Sequence, residues 1–106
     1  MKGFIGTANV DTNSRTCMSS AVVAYKKAFG IDYVPVRMDD IFDTNLLILV
    51  GANTAEAHVV FHNRTKKAKK DGLKIIVIDP RFTDTAKIAD LHLPIRTGSD
   101  IDFFNL

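Results

Sequence analysis

Cys17 stands in the segment Asn13-Ser14-Arg15-Thr16-Cys17-Met18, where an amphipathic helix is expected to begin. A thiol near a helix N-terminus, with Arg15 beside it, is biased toward thiolate, the form that attacks electrophiles and ligates metals. The competing role is that of a small buried hydrophobe, which is how most lone cysteines serve. Three further groups carry chemistry: Gly51-Ala52-Asn53-Thr54 with Glu56, then Asp79-Pro80-Arg81, then Arg96-Thr97-Gly98-Ser99-Asp100. Gly51 and Gly98 let backbone approach a ligand closely. Helix starts after Asn53 and Asp100 offer free N–H donors to phosphate, and carboxylates such as Asp79 and Asp100 can accept from ribose hydroxyls or guanine N–H groups. Any one of these groups reads equally well as a cap or a turn. Three of them converging read as a ligand site.

The elements that would position these groups follow from hydrophobic pattern. Met18, Ala21, Val22, Tyr25, Ala28 and Phe29 recur at helical spacing, predicting a helix from about Cys17 to Phe29, with Gly30 as its left-handed cap. Residues 31–45 are mixed, with a short helical turn at Asp39 to Phe42. Leu46 to Val50 and, apart from Lys74, Leu73 to Ile78 are apolar runs of strand length, of the kind that suits parallel strands buried on both faces. Between them a helix is expected from about Ala55 to Lys70, with Asn53 and Glu56 at capping-box spacing and Gly72 closing its far end. Strand, helix and strand make a βαβ unit. Thr83 or Asp84 then caps a short helix, and Leu91 to Ile95 reads as a strand that Pro94 confines to an edge or an end. The expected fold class is α/β: a three-layer α/β/α arrangement with a mostly parallel sheet, Rossmann-like, in which ligands sit at the carboxyl ends of the strands.

The 106 residues bound one domain, and 46% hydrophobic and 25% charged residues are ordinary for a globular protein. A net charge of +2 gives no strong pull toward nucleic acid or membrane surface. One cysteine cannot close an internal disulfide. No stretch nears the roughly 20 apolar residues of a membrane span, and no export signal is visible, which leaves the compartment open. Asp100 reads as the cap of a helix that stops before two turns, so the chain is expected to be a fragment of a longer protein. The first loop holds one glycine where the dinucleotide fingerprint needs three, and no Walker A pattern occurs, which argues against NAD.

Gly3 to Val22, with Cys17 inside it, resembles molybdopterin oxidoreductases of the dimethyl sulfoxide reductase family, and within it the catalytic subunits of bacterial periplasmic and assimilatory nitrate reductases. Gly51 to His58 continues the match in order. So do Asp79-Pro80-Arg81 with Thr83, Thr85, Ala86, Ala89, Asp90 and His92, and then Gly98-Ser99-Asp100. The resemblance covers essentially the whole chain, residues 1–106. It implies a fragment of a domain that binds molybdopterin guanine dinucleotide, within a bis-molybdopterin guanine dinucleotide site for molybdenum. It implies Cys17 as molybdenum ligand and catalytic residue. Gly51, Asn53, Glu56, Ala57, Asp79, Arg81, Arg96, Gly98 and Asp100 then contact one guanine dinucleotide. Met18 after the cysteine follows the nitrate reductase pattern, where formate dehydrogenases commonly carry His. This chain departs from the family at Val59, where Pro is common, and at Phe82, where a second Arg is common.

The resemblance also implies a [4Fe–4S] cluster in the parent but outside this fragment, an electron-transfer partner, the remaining domains of the same polypeptide, and no activity for the fragment alone. The reaction implied is nitrate reduction to nitrite by oxygen-atom transfer at molybdenum. A formate dehydrogenase is the alternative within the family. An independent nucleotide- or small-molecule-binding module, with Cys17 inert, is the alternative outside it. His58 and His62 stand at a spacing that can bind zinc, but no third ligand is near in sequence. Lys66, Lys67, Lys69 and Lys70 read as a solvated helix end favoured by the dipole, not as a nucleic-acid patch.

Overall fold

The computed structural model describes residues 2–105, which fall into two compact units divided between Val36 and Arg37. In the first, α1 (Lys2–Ile5) and α2 (Ser14–Cys17) precede the longer α3 (Ser19–Phe29). The expected helix from Cys17 to Phe29 is thus interrupted at Met18, whose φ of −137° and ψ of 18° are not helical. Local polar side chains explain the early turn. Thr12 Oγ1 accepts from the Ser14 N–H at 3.2 Å, and the Thr16 hydroxyl donates back to the Asn13 carbonyl at 3.1 Å. Such bonds compete with continuous helix and start one turn ahead of the apolar stripe. Gly30, at φ +76°, closes α3 as expected, its N–H donating to the Lys26 carbonyl at 3.0 Å. The stripe of α3 is only half-buried at Val22 and Tyr25, and Phe29 is exposed.

The second unit holds a 3₁₀ turn at Met38–Phe42, then β1 (Leu46–Val50), α4 (Thr54–Ala57), α5 (Val59–Lys70), β2 (Lys74–Ile78), α6 (Asp84–Lys87), β3 (Leu91–Leu93) and α7 (Asp100–Phe104). The strands form one parallel sheet in the order β1-β2-β3, with Leu46 opposite Lys74 and Ile76 opposite Leu91. The α/β class and the parallel sheet agree with the sequence reading, and Pro94 follows the last residue of an edge strand.

Alternation along the strands sends Leu47, Leu49, Ile75 and Val77 to one face. There they meet Ile41 of the 3₁₀ turn, Phe61 and Ala68 of α5, Ala86 of α6, and Leu73. Arg64 pairs with Asp39, and Lys67 lies 5.8 Å from the centre of the Phe42 ring, so α5 and the 3₁₀ turn are also joined at the surface. The other face carries Leu46, Ile48 and Val50 of β1 and Leu91 of β3, all exposed. The expectation that β1 is buried on both faces is therefore corrected: the 3₁₀ turn, α5 and α6 supply their core residues on the Leu47 side. Among the described residues, no helix is long and apolar enough to cross a membrane.

The long helix expected from Ala55 to Lys70 is also two helices. His58, at φ −139° and ψ 58°, separates α4 from α5. Thr54 and the Ala55 N–H are drawn toward Thr85 of α6, which holds the first turn apart from the axis of the second. Val59 becomes the first residue of α5, the position where proline is most at home.

Candidate functional site

Because the three strands are parallel, their carboxyl ends share one edge, and the segments after them start there. The Gly51 N–H donates to the Ile78 carbonyl at 2.8 Å and the Asp79 N–H to the Leu93 carbonyl at 3.3 Å, which locks the three strand ends together. The loops at 51–54 and 79–81 and the segment leading to 96–100 thus leave the sheet from the same side, as the sequence reading requires. Cys17 belongs to the other compact unit. It is exposed, and it is the last residue of α2, not the first turn of a longer helix. Arg15, expected beside the thiol, pairs instead with Asp11 at 2.9 Å.

The loop after β1 is the most heavily organised. Gly51 has φ +56°, and a Cβ built there meets nothing within 4 Å, so the glycine serves the backbone turn and leaves open space over it. Asn53 does not cap α4 with its side chain, and the expected capping box with Glu56 is absent. Its Oδ1 is taken by the Thr85 hydroxyl, which donates to it at 2.9 Å. Thr85 also accepts from the Ala55 N–H at 2.9 Å and lies 3.4 Å from the Thr54 hydroxyl, which in turn lies 3.2 Å from His62 Nδ1. Thr54, His62 and Thr85 are all buried, Thr85 completely. Burial lowers the His62 pKa below its ordinary value, helped by the Lys66 charge and opposed by Asp84. Glu56 and Ala57 are exposed on the short α4.

After β2, Asp79 is buried, its Oδ1 accepting from the Arg81 N–H at 2.8 Å and its carbonyl from His92 Nε2 at 2.8 Å. Arg81 and Phe82 are exposed, and the Phe82 ring meets the edge of His92 at 5.4 Å between centres. Thr83 caps α6, its hydroxyl accepting from the Ala86 N–H at 3.3 Å. After β3, the Arg96 carbonyl accepts from both the Ser99 N–H and hydroxyl, at 3.0 and 2.6 Å, and Gly98 turns at φ +86°. Asp100 was expected to cap α7. It is instead the first residue of that helix, and Ser99 precedes it without a side-chain cap.

Sequence reasoning placed the loops but missed what holds them. Thr85 had been singled out only as part of a motif, and His62 only as half of a zinc pair. His62 is committed to Thr54, His58 is exposed, and no group of three or more metal-ligating side chains occurs among the described residues. No periodic pattern links Thr54, His62 and Thr85, whose contacts join residues 8 and 31 positions apart.

A profile of the molybdopterin oxidoreductases matches residues 1–106 in full. The chain belongs to that family. Membership implies a molybdopterin cofactor carrying molybdenum. The chain is 53% identical over 106 residues to a nitrate reductase of Klebsiella oxytoca, covering 98% of this chain and 12% of the relative. It is 46% identical over 100 residues to the formate dehydrogenase major subunit of Haemophilus influenzae, covering 94% of this chain and 10% of that protein. Among solved structures, acetylene hydratase from Pelobacter acetylenicus matches with a TM-score of 0.71 and 31% identity over 95% of this chain and 14% of that one. The chain spans about an eighth of the length of the nitrate reductases it matches.

The residues on the sheet edge suit a polar cofactor such as a molybdopterin in kind. Open space above Gly51 admits a ligand close to backbone. The Asn53 amide nitrogen makes no hydrogen bond among the described residues, and only one oxygen of the Asp79 carboxylate is engaged. A donor and an acceptor thus follow the ends of two paired strands.

Proposed function

We propose that this chain is the part of a nitrate-reducing molybdenum enzyme that holds one guanine dinucleotide of a bis-molybdopterin cofactor and supplies a protein ligand to the metal. Gly51, Asn53, Glu56, Ala57, Asp79, Arg81, Arg96, Gly98 and Asp100 would hold the dinucleotide, and Cys17 would ligate molybdenum. The observation that carries this reading is 53% identity to a nitrate reductase over the whole chain. When bound, the cofactor supplies two-electron redox chemistry and a metal at which an oxygen atom is transferred.

The chain's own contribution is positional. Gly51 and Gly98 give the backbone access, the Asn53 amide donates, the Asp79 carboxylate accepts, and the Arg81 and Arg96 guanidinium groups lie exposed near the strand ends to meet phosphate. Cys17 offers a soft thiolate ligand suited to a metal already held by sulfur. The remaining domains of the same polypeptide, a [4Fe–4S] cluster outside residues 1–106 and an electron-transfer partner complete the proposed enzyme, with nitrate as its small-molecule substrate. The formate dehydrogenase reading is favoured by one observation, the 46% identity to a formate dehydrogenase subunit.

The test is Cys17→Ser in the full-length parent. Exchanging a soft thiolate for a hard, weakly acidic hydroxyl should abolish nitrate reduction while the thermal midpoint stays unchanged. Turnover at the wild-type rate by a folded Cys17→Ser protein would remove Cys17 from the metal. Formate oxidation without nitrate reduction by the wild-type parent would transfer the assignment to the second reading.

A further inference from the structure

The turn after β2 is held from β3, by a side chain outside the proposed cofactor contacts. Asp79 carries four hydrogen-bonding groups, and three of them are taken. Its N–H donates to the Leu93 carbonyl at 3.3 Å, its carbonyl accepts from His92 Nε2 at 2.8 Å, and its Oδ1 accepts from the Arg81 N–H at 2.8 Å. The fourth, Oδ2, has no partner. Among the described residues no fully buried side-chain oxygen is left without one, so Oδ2 opens to the surface although Asp79 as a whole is only 6% exposed. A carbonyl can only accept, so His92 Nε2 must carry a proton, in the neutral ring and in the imidazolium alike. That carbonyl belongs to the Asp79–Pro80 peptide, whose nitrogen has no hydrogen to give. His92 is therefore the one hydrogen-bonding partner of this peptide plane among the described residues. Pro80 confines the ψ of Asp79 to an extended range of about 40°, and the His92 bond selects a value within it. The same angle sets where Arg81 starts, and so whether its N–H reaches Oδ1. The imidazole is steadied in turn: His92 stands opposite Val77 in the sheet, half-buried, and Phe82 meets its edge at 5.4 Å between centres. Both ends of the turn are thus fastened to one ring.

We propose that His92, clipped between Asp79 and Phe82, is a positioning residue that holds residues 79–82 so that Asp79 Oδ2 and the Arg81 guanidinium stay presented to the cofactor. This rests on the proposed placement of the dinucleotide against Asp79 and Arg81. Phe82 stands where a second Arg is common in the family, so this chain has an aromatic contact to His92 in place of a second cation.

The test uses the purified, cofactor-loaded full-length parent, reading molybdenum and releasable GMP per protein as each is lost over time, together with hydrogen exchange of a peptide spanning 79–83. Asp79→Asn keeps an oxygen for the Arg81 N–H and replaces the outward acceptor, and Arg81→Ala deletes the guanidinium. Each should lose cofactor faster than wild type, and retention at the wild-type rate by both would overturn the placement of the dinucleotide itself. His92→Phe keeps a ring against Phe82 and deletes the donor. It should speed loss roughly 5-fold, the worth of one ordinary hydrogen bond, and accelerate exchange at 79–83 while β2 stays near wild type. His92→Gln carries an NH₂ group at about the reach of Nε2 and should return both readings to near wild type. His92→Asn, one methylene shorter, should not, and it replaces His92→Phe if that variant does not fold. Phe82→Ala should accelerate exchange at 79–83 in the same direction, and wild-type exchange there would remove Phe82 from the clip. Because His92 acts through the turn, His92→Phe should add little to the loss caused by Asp79→Asn and Arg81→Ala together, whereas a general loosening would add in full. With Asp79→Asn or Arg81→Ala defective, wild-type retention by His92→Phe or His92→Asn, equal loss by His92→Gln and His92→Asn, or full additivity would overturn the positioning role and leave the placement standing.

Discussion

Thr54→Val isolates the centre of the buried network, because valine reproduces the branched shape of threonine and deletes only the hydroxyl. Two contacts are lost. The 3.4 Å approach to Thr85 is too long to count as a full bond, and the 3.2 Å contact to His62 Nδ1 counts as one. That bond is worth about 1 kcal/mol, and leaving the ring nitrogen of a buried histidine without a partner adds about 1 kcal/mol more. The sum, about 2 kcal/mol, is a roughly 30-fold change in an opening equilibrium. Hydrogen exchange read by mass spectrometry on peptides spanning 54–62 of the full-length protein measures that opening directly. Exchange there should accelerate by about this factor in Thr54→Val, while peptides from β2 stay near wild type. Thr54→Ser retains the hydroxyl and should exchange far more slowly than Thr54→Val. In a cycle with His62→Phe, the two substitutions should couple by about 1 kcal/mol. Equal acceleration by valine and serine, or strict additivity with His62→Phe, would show that the hydroxyl is packing filler and that no hydrogen bond joins the two helices.

Three further outcomes follow from single residues. The His62 pKa is lowered by burial from 6.5, so the folded state binds fewer protons than the unfolded one. Protection of the 54–62 segment should be complete above pH 6.5 and fall as pH drops through that value toward the folded pKa; His62→Gln should flatten that slope, and an unchanged slope would contradict it. Val59→Pro places proline at the first position of α5 and should raise the thermal midpoint, by about 0.4–1 kcal/mol of stability; a drop would mean that the helix runs unbroken through His58. Gly51→Ala meets no steric obstacle but forces a side chain into φ +56°, which costs roughly 1–2 kcal/mol. Wild-type protection of the 51–54 loop in that variant would show that the turn is not held left-handed.

The sheet was legible because its signal is local. Leu46 to Val50 and Ile75 to Ile78 are uninterrupted apolar runs, and parallel pairing follows from the helix between them. The sharing of one edge by the site loops was legible for the same reason. What held Asn53 was not, since its partner Thr85 is 32 residues away and offers no periodic pattern. The interruptions at Met18 and His58 escaped notice because both lie inside sound helical spacing. One is imposed by neighbouring hydroxyls, the other by a tertiary pull on Thr54. Asn53 at capping-box spacing misled for a related reason: a residue suited to capping was already engaged elsewhere.

The open side of β1 bears on how this polypeptide behaves before assembly. β1 is an edge of its sheet, its five residues Leu46 to Val50 include no charge and no proline, and three of them face outward. Such a strand has unpaired backbone groups on one side and an adhesive surface on another, the combination from which ordered aggregates grow. The opposite edge is blunted by its brevity and by Pro94, so growth would be one-sided, with β1 as the template. A lysine at Ile48 is the gatekeeper that would stop it. Expressed alone, the wild-type segment should be found largely in inclusion bodies and the Ile48→Lys version largely in solution, as light scattering and pelleting would report.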